Sequence, residues 1–186
     1  MRRTARALLV TTAAAVLAAA MGVWTPLQAH AHTTSTSTCS VRWGSLPKAG
    51  PTMTTAEITD VRAGRHACFD RLVVDVAGSV TGAYSGRYVP AVTFDGSGDP
   101  VPLRGGAFLE VITRAPIIPT DALWDEAGRF VDVSGYRTFR DLKWAGSFEG
   151  QTTVGLGVRA RLPFRVFVLN GPGSGSRLVV DVAHRW

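Results

Sequence analysis

Arg71-Leu72-Val73-Val74-Asp75-Val76-Ala77 recurs, residue for residue, as Arg177-Leu178-Val179-Val180-Asp181-Val182-Ala183. Within the first copy Leu72, Val74 and Val76 alternate with Arg71, Val73 and Asp75, the period of two of a strand with one buried face. Valine enrichment favours a pleated surface, but strand propensity alone selects neither Arg nor Asp. The identity therefore predicts two strands in equivalent environments, through duplication or as the central strands of two packed sheets. Asp75 and Asp181 are expected to pair with arginines across strands rather than to act as acids.

Outward from the repeat, the same pattern continues. Thr152, Val154, Leu156, Val158 and Ala160 share one face of a strand whose other face carries Thr153, Gly155, Gly157 and Arg159. Further extended segments are expected at Tyr88 to Phe94, with Pro90 marking an edge or bulge, and at Phe108 to Thr113, Phe130 to Val133, Phe164 to Leu169 and Leu178 to Val182. Turns are signalled by Asp95-Gly96-Ser97-Gly98-Asp99-Pro100, Arg104-Gly105-Gly106, Gly146, Gly150 and Asn170-Gly171-Pro172-Gly173-Ser174-Gly175. Only Thr120 to Ala127, after Pro119, reads as helical, for at most two turns. Seven or eight short strands without alternating long helices imply an antiparallel all-β sandwich or barrel.

The chain has 186 residues, 46% hydrophobic and 18% charged, a composition of one folded domain rather than of a disordered chain. Its formal charge of +6 is concentrated at the start. Arg2, Arg3 and Arg6 precede the apolar run Ala7 to Val23, and Ala29-His30-Ala31 fits the A-x-A cleavage rule, so residues 1–31 are expected to be a secretory signal. Removing those three arginines from the 20 basic residues leaves 17 against 14 acidic ones, too small an excess for a nucleic-acid protein. Residues 32–56 read as a Ser/Thr-rich spacer and N-terminal segment, and 57–186 as the domain. No stable membrane span is expected after cleavage. Cys39 and Cys68, the only cysteines, imply one bridge in an exported protein, closing a loop of 29 residues, for which chain entropy gives about 3.5 kcal/mol.

Motifs for chemistry fail on context. Gly155-Leu156-Gly157-Val158-Arg159-Ala160 matches G-x-G-x-x-A, but Arg161-Leu162-Pro163 breaks the helix that a phosphate site needs. Its glycines leave room for a neighbouring backbone or a flat ligand face. Asp95, Ser97 and Asp99 begin like a calcium loop, yet Pro100 and Gly106 occupy positions where Gly and Glu are required. No serine sits in G-x-S-x-G. His66 and His184 read as ordinary edge residues, too few for a zinc site. No cofactor, metal or catalytic residue is expected. Glu110, Asp125, Glu126, Glu149 and Asp181 keep open a hydrolase with a carboxylate pair, and a cavity between sheets would suit a small-molecule carrier.

The richest surface candidate runs from Arg137 to Glu149, with Arg140, Lys143, Trp144 and Phe148 between. Arginine beside exposed aromatics suits a glycan or an anionic polymer, through stacking and forked hydrogen bonds. Arg137, Arg140, Trp144, Phe148 and Glu149 are the expected binding residues, although Leu142 and Trp144 share a strand face and could serve the core.

His66-Ala67-Cys68-Phe69-Asp70-Arg71-Leu72-Val73-Val74-Asp75-Val76, Gly96-Ser97-Gly98, Leu103-Arg104-Gly105-Gly106-Ala107, Gly146-Ser147-Phe148-Glu149-Gly150, Leu162-Pro163-Phe164-Arg165-Val166 and Arg177-Leu178-Val179-Val180-Asp181-Val182 together resemble the AMIN-like domain of exported proteins from high-GC Gram-positive bacteria. The resemblance spans roughly Val61 to His184. It implies an all-β sandwich and kinship with AMIN domains, which carry amidases or secretins to the cell envelope by binding peptidoglycan or its neighbourhood. No catalytic domain accompanies it here, and the resemblance supplies no binding residues. The expected protein is a secreted, non-enzymatic binding or targeting module for peptidoglycan or an anionic wall polymer.

Overall fold

The two copies of the repeat pair with each other. In the computed structural model, which describes residues 39–117 and 129–186, they form strands β3 (Phe69–Val76) and β9 (Ser176–Ala183), antiparallel neighbours at the centre of one four-stranded sheet. Their positions in the sheet are equivalent, as their identity implies, but the strands do not belong to two packed sheets. Val73 lies opposite Val179, and Arg71 opposite Asp181 mirrors Asp75 opposite Arg177. Identical sequences running in opposite directions thus place each Arg across from an Asp.

The flanking strands of this sheet are β2 (Ile58–Arg65) and β8 (Phe164–Asn170), giving the order β2-β3-β9-β8. The second sheet contains β1 (Lys48–Ala49), β4 (Tyr84–Val89), β5 (Ala107–Thr113), β6 (Phe139–Phe148) and β7 (Gln151–Val158), in the order β1-β4-β5-β7-β6. All strand pairings are antiparallel. The sheets form a sandwich whose core joins Leu72, Val74, Leu178 and Val180 to Leu109, Val111, Val154 and Leu156, all buried. Burying each such side chain contributes roughly 1.5–3 kcal/mol, and the inter-sheet space that a small-molecule carrier would need is occupied by this cluster.

Most of the expected segments are found, with shifted limits. The extended segment at Tyr88 begins earlier, at Tyr84, and stops at Val89, because Pro90 lacks the N–H to continue the ladder. Phe130 to Val133 is not a strand: Arg129 makes an isolated bridge to Lys143, and Val133 is buried in the core. The expected helix at Thr120 to Ala127 and the signal segment 1–31 lie outside the described residues. β2 has no period-two apolar pattern, since Thr59, Asp60 and Arg62 are exposed around the buried Ile58 and Val61.

Part of the 32–56 segment is integrated into the fold. Lys48 and Ala49 pair with Gly86 and Ser85, and Cys39 is bridged to Cys68. His184 is also not an edge residue. It is buried, with Nδ1 2.9 Å from Thr138 Oγ1 and Nε2 3.0 Å from the His66 carbonyl. Beside it Asp70 accepts the backbone N–H groups of Thr138 and Phe139 at 2.6 and 3.1 Å, tying the start of β6 to the start of β3.

Candidate functional site

The two outer faces of the sandwich differ. On the five-stranded sheet, residues 90–106 between β4 and β5 fold back over the strands, and Val92 and Val101 form a second small core with Ala145. Asp95 N–H donates to the Ala145 carbonyl at 2.8 Å and Gly106 N–H to that of Val158 at 2.8 Å. Gly155 and Gly157 make this possible. A methyl group on Gly155 would meet Leu103 at 2.8 Å, and one on Gly157 would overlap the carbonyl of Arg104. Of the two uses open to these glycines, the space is taken by neighbouring chain rather than by a ligand.

The outer face of the four-stranded sheet carries no such covering among the described residues. Because side chains alternate, it presents Phe69, Arg71, Val73 and Asp75 from β3, and Arg177, Val179 and Asp181 from β9. Arg62 comes from β2, and Arg165, Phe167 and Leu169 from β8. Asp181 is fully buried beneath two guanidinium groups. Arg71 donates to it through Nε at 2.6 Å and Nη2 at 2.9 Å, and Arg165 through Nε at 2.8 Å. That double forked contact repays the desolvation of the carboxylate. The Asp181 hydrogen bond also raises the Arg71 pKa above its ordinary value, as Asp75 does for Arg62.

The paired guanidinium groups stack on rings. Arg165 lies 4.4 Å from the Trp43 ring centroid and 4.8 Å from that of Phe167, while Arg71 lies 5.1 Å from Phe69. His66 stacks on Phe69 at 4.5 Å, and Trp43 meets the same ring edge-on at 5.7 Å. The result is a shelf of alternating planar cations and aromatic rings, with its acids placed underneath. Such a shelf offers flat faces for stacking and N–H groups for hydroxyl or carboxylate oxygens.

The residues expected from sequence are not assembled in this way. Arg140, Trp144 and Phe148 are spread along β6, an edge strand of the other sheet about 30 Å long at the usual rise per residue, with Arg137 before it and Glu149 after it. Arg137 is exposed, but Arg140 donates to the carbonyls of Tyr136 and Phe139 at 3.1 and 2.8 Å and so braces its own turn. Trp144 is half-buried opposite Val154, on the core side. Phe148 is exposed at the far end, where Glu149 at φ 49° and Gly150 at φ 74° make the tight turn into β7. The candidate acids are likewise separated: Glu110 is held by Arg87 at 2.7 Å on the five-stranded sheet, Asp181 lies on the other, and Asp125 and Glu126 are outside the described residues.

Trp43, Phe69 and Phe167 were not singled out by sequence. Phe167 sits two residues after Arg165 and two before Leu169, an alternation that places all three on one face. Trp43 lies in the stretch read as spacer and carries no local signal. Among the described residues no group of three or more His, Cys, Asp and Glu side chains is placed to hold a metal ion, and no helix is long and apolar enough to cross a membrane.

No curated protein and no solved structure matches the chain. The family model for the AMIN-like domain matches residues 56–184, which take in β2 through β9 and with them both copies of the repeat. The chain belongs to the AMIN-like family.

Proposed function

We propose that this protein is an exported, non-catalytic binding module of the cell envelope, and that it contacts peptidoglycan or an associated wall polymer through the open face of the four-stranded sheet. The family is associated with proteins of the cell wall, and the Cys39–Cys68 bridge suits an oxidising compartment. The observation that carries the reading is the arginine and aromatic shelf itself: Trp43, Phe69 and Phe167 interleaved with Arg71 and Arg165 over a buried Asp181. Pyranose rings stack on aromatic and guanidinium faces through their C–H bonds, while hydroxyl and carboxylate oxygens accept from guanidinium N–H groups.

The acids under the shelf make a specific prediction. Because Asp75 pairs with Arg62 and Asp181 with both Arg71 and Arg165, the acids offset much of the positive charge of this face, and contact rests mainly on stacking and short-range hydrogen bonds. Purified protein incubated with peptidoglycan sacculi is expected to stay bound as salt rises to about 1 M, where the screening length is about 3 Å. Release at low salt, or no retention at any salt, contradicts the reading.

A further inference from the structure

The symmetry of the repeat is broken at one position. About the Val73–Val179 pair, Arg71 opposite Asp181 is equivalent to Arg177 opposite Asp75. In the first half Arg71 holds its acid through two short bonds. In the second half both oxygens of Asp75 are taken by Arg62, at 2.6 and 2.8 Å, and Arg177 is left without an acid. The Arg177 guanidinium makes one 3.3 Å contact to the Asn170 carbonyl, and its Nε is buried with no hydrogen-bond partner. An unpaired N–H of a cation in such a place is costly, which favours any ligand that brings an acceptor.

Arg177 borders a groove of about 230 Å³ whose polar wall is Arg62 and Arg71 and whose floor is Val73 and Val179, with Leu169 at the rim. Gly64 lines one edge. A methyl group there would have only His66 Nε2 near it, at 3.8 Å, so that edge is open. We propose that this groove binds a single carboxylate carried on a small group with an aliphatic C–H face, the carboxylate accepting from Arg177 as Asp181 accepts from Arg71. The charge fits a monoanion: Arg62 and Arg71 are already ion-paired, and Arg177 brings one guanidinium without an acid among the described residues. The valine floor and Leu169 take the aliphatic part. The Arg177 Nε is buried, so the side chain has to turn for that N–H to reach the ligand, and only the 3.3 Å contact to Asn170 holds the guanidinium where it is.

The inference deepens the wall-binding reading and rests on it for the source of the ligand. Two sources carry this chemistry, the C-terminal carboxylate of a short peptide and the carboxylate of an acidic sugar. Nuclear magnetic resonance titration of the protein with N-acetyl-alanyl-alanine, with its C-terminal amide and with glucuronate separates them. Saturable shifts of the Val73, Val179 and Arg177 amides are expected with one of the two acids, which identifies the source, and at least about tenfold weaker binding for the amide. Arg177→Gln is expected to weaken the acid by a similar factor, with Arg177→Lys between. Gly64→Leu fills the groove from its open edge and is expected to abolish binding while leaving Arg177 in place, so the test survives if Arg177→Gln does not fold. Equal binding of acid and amide, shifts elsewhere only, or full affinity in Gly64→Leu overturns the proposal. Sacculus retention without acid binding overturns the groove alone, whereas acid binding without retention leaves the groove and removes the wall.

Discussion

The outer faces of the two sheets have similar strand counts and opposite fates. On the five-stranded sheet Gly155 and Gly157 replace side chains, and residues 90–106 lie against them with Val92 and Leu103 as their packing groups. On the four-stranded sheet the corresponding central positions carry Arg71, Asp75, Arg177 and Asp181, and the side chains themselves make the surface. Glycine on the outward side of a strand here marks a face the chain covers itself, and the ladder of Arg and Asp marks a face left uncovered among the described residues.

The largest test of that contrast is a pair of glycine substitutions. Gly157→Val forces a branched side chain into the Arg104 carbonyl, so the 90–106 segment must lift, and a loss of at least about 3 kcal/mol is expected by chemical denaturation. Gly64→Ala on the open face has its nearest neighbour at 3.8 Å and is expected to change stability by less than about 1 kcal/mol. Similar losses at both positions would mean that the open face is not open.

A smaller difference is expected within the open face. Asp181 is fully buried between Arg71 and Arg165, and Asp181→Asn leaves two guanidinium groups without their acid, a cost of about 3 kcal/mol. Asp75→Asn removes the partner of the half-exposed Arg62 and is expected to cost less than about 1 kcal/mol. Equal costs would mean that the two halves of the repeat are energetically equivalent after all.

The smallest effect concerns the joint between the sheets. Tyr88 Oη donates to the Leu162 carbonyl at 2.9 Å and accepts from the Leu162 N–H at 3.0 Å, linking β4 to the segment before β8. Tyr88→Phe leaves both backbone groups without that partner and is expected to cost about 1–2 kcal/mol. Burial raises the Tyr88 pKa above 10.0, outweighing the Leu162 hydrogen bond and the nearby Arg161. The folded state thus holds this proton more tightly than the unfolded chain does. Stability from Tyr88 is complete below the ordinary tyrosine pKa and is lost as pH rises through the raised value. The gap between wild type and Tyr88→Phe should therefore narrow in alkali; a constant gap would contradict this.

How far the sequence carried the structure follows from range. The β7 alternation, the repeat, the disulfide and the cross-strand role of Asp75 and Asp181 are local or pairwise signals, and each has its counterpart in the fold. Which outer face is uncovered among the described residues was not legible, because that depends on where residues 90–106 travel, a fact no strand pattern contains. The cluster from Arg137 to Glu149 looked dense in sequence but is drawn out along an edge strand, where Arg140 braces a turn and Trp144 faces the core side. Trp43 reaches the shelf from far along the chain, beside the disulfide that fixes its segment to β3. His184 departs from an edge position for the same reason: it is buried against Thr138 and the His66 carbonyl, both remote in sequence.

Retention on peptidoglycan sacculi, compared between variants of the two regions at fixed salt, tests the central claim most directly. Trp43→Ala and Arg165→Ala on the open face are each predicted to weaken retention by about tenfold or more, while Arg137→Glu combined with Arg140→Glu on the edge strand leaves it unchanged. Loss of retention in the edge-strand variant, with the open-face variants still bound, would contradict the account.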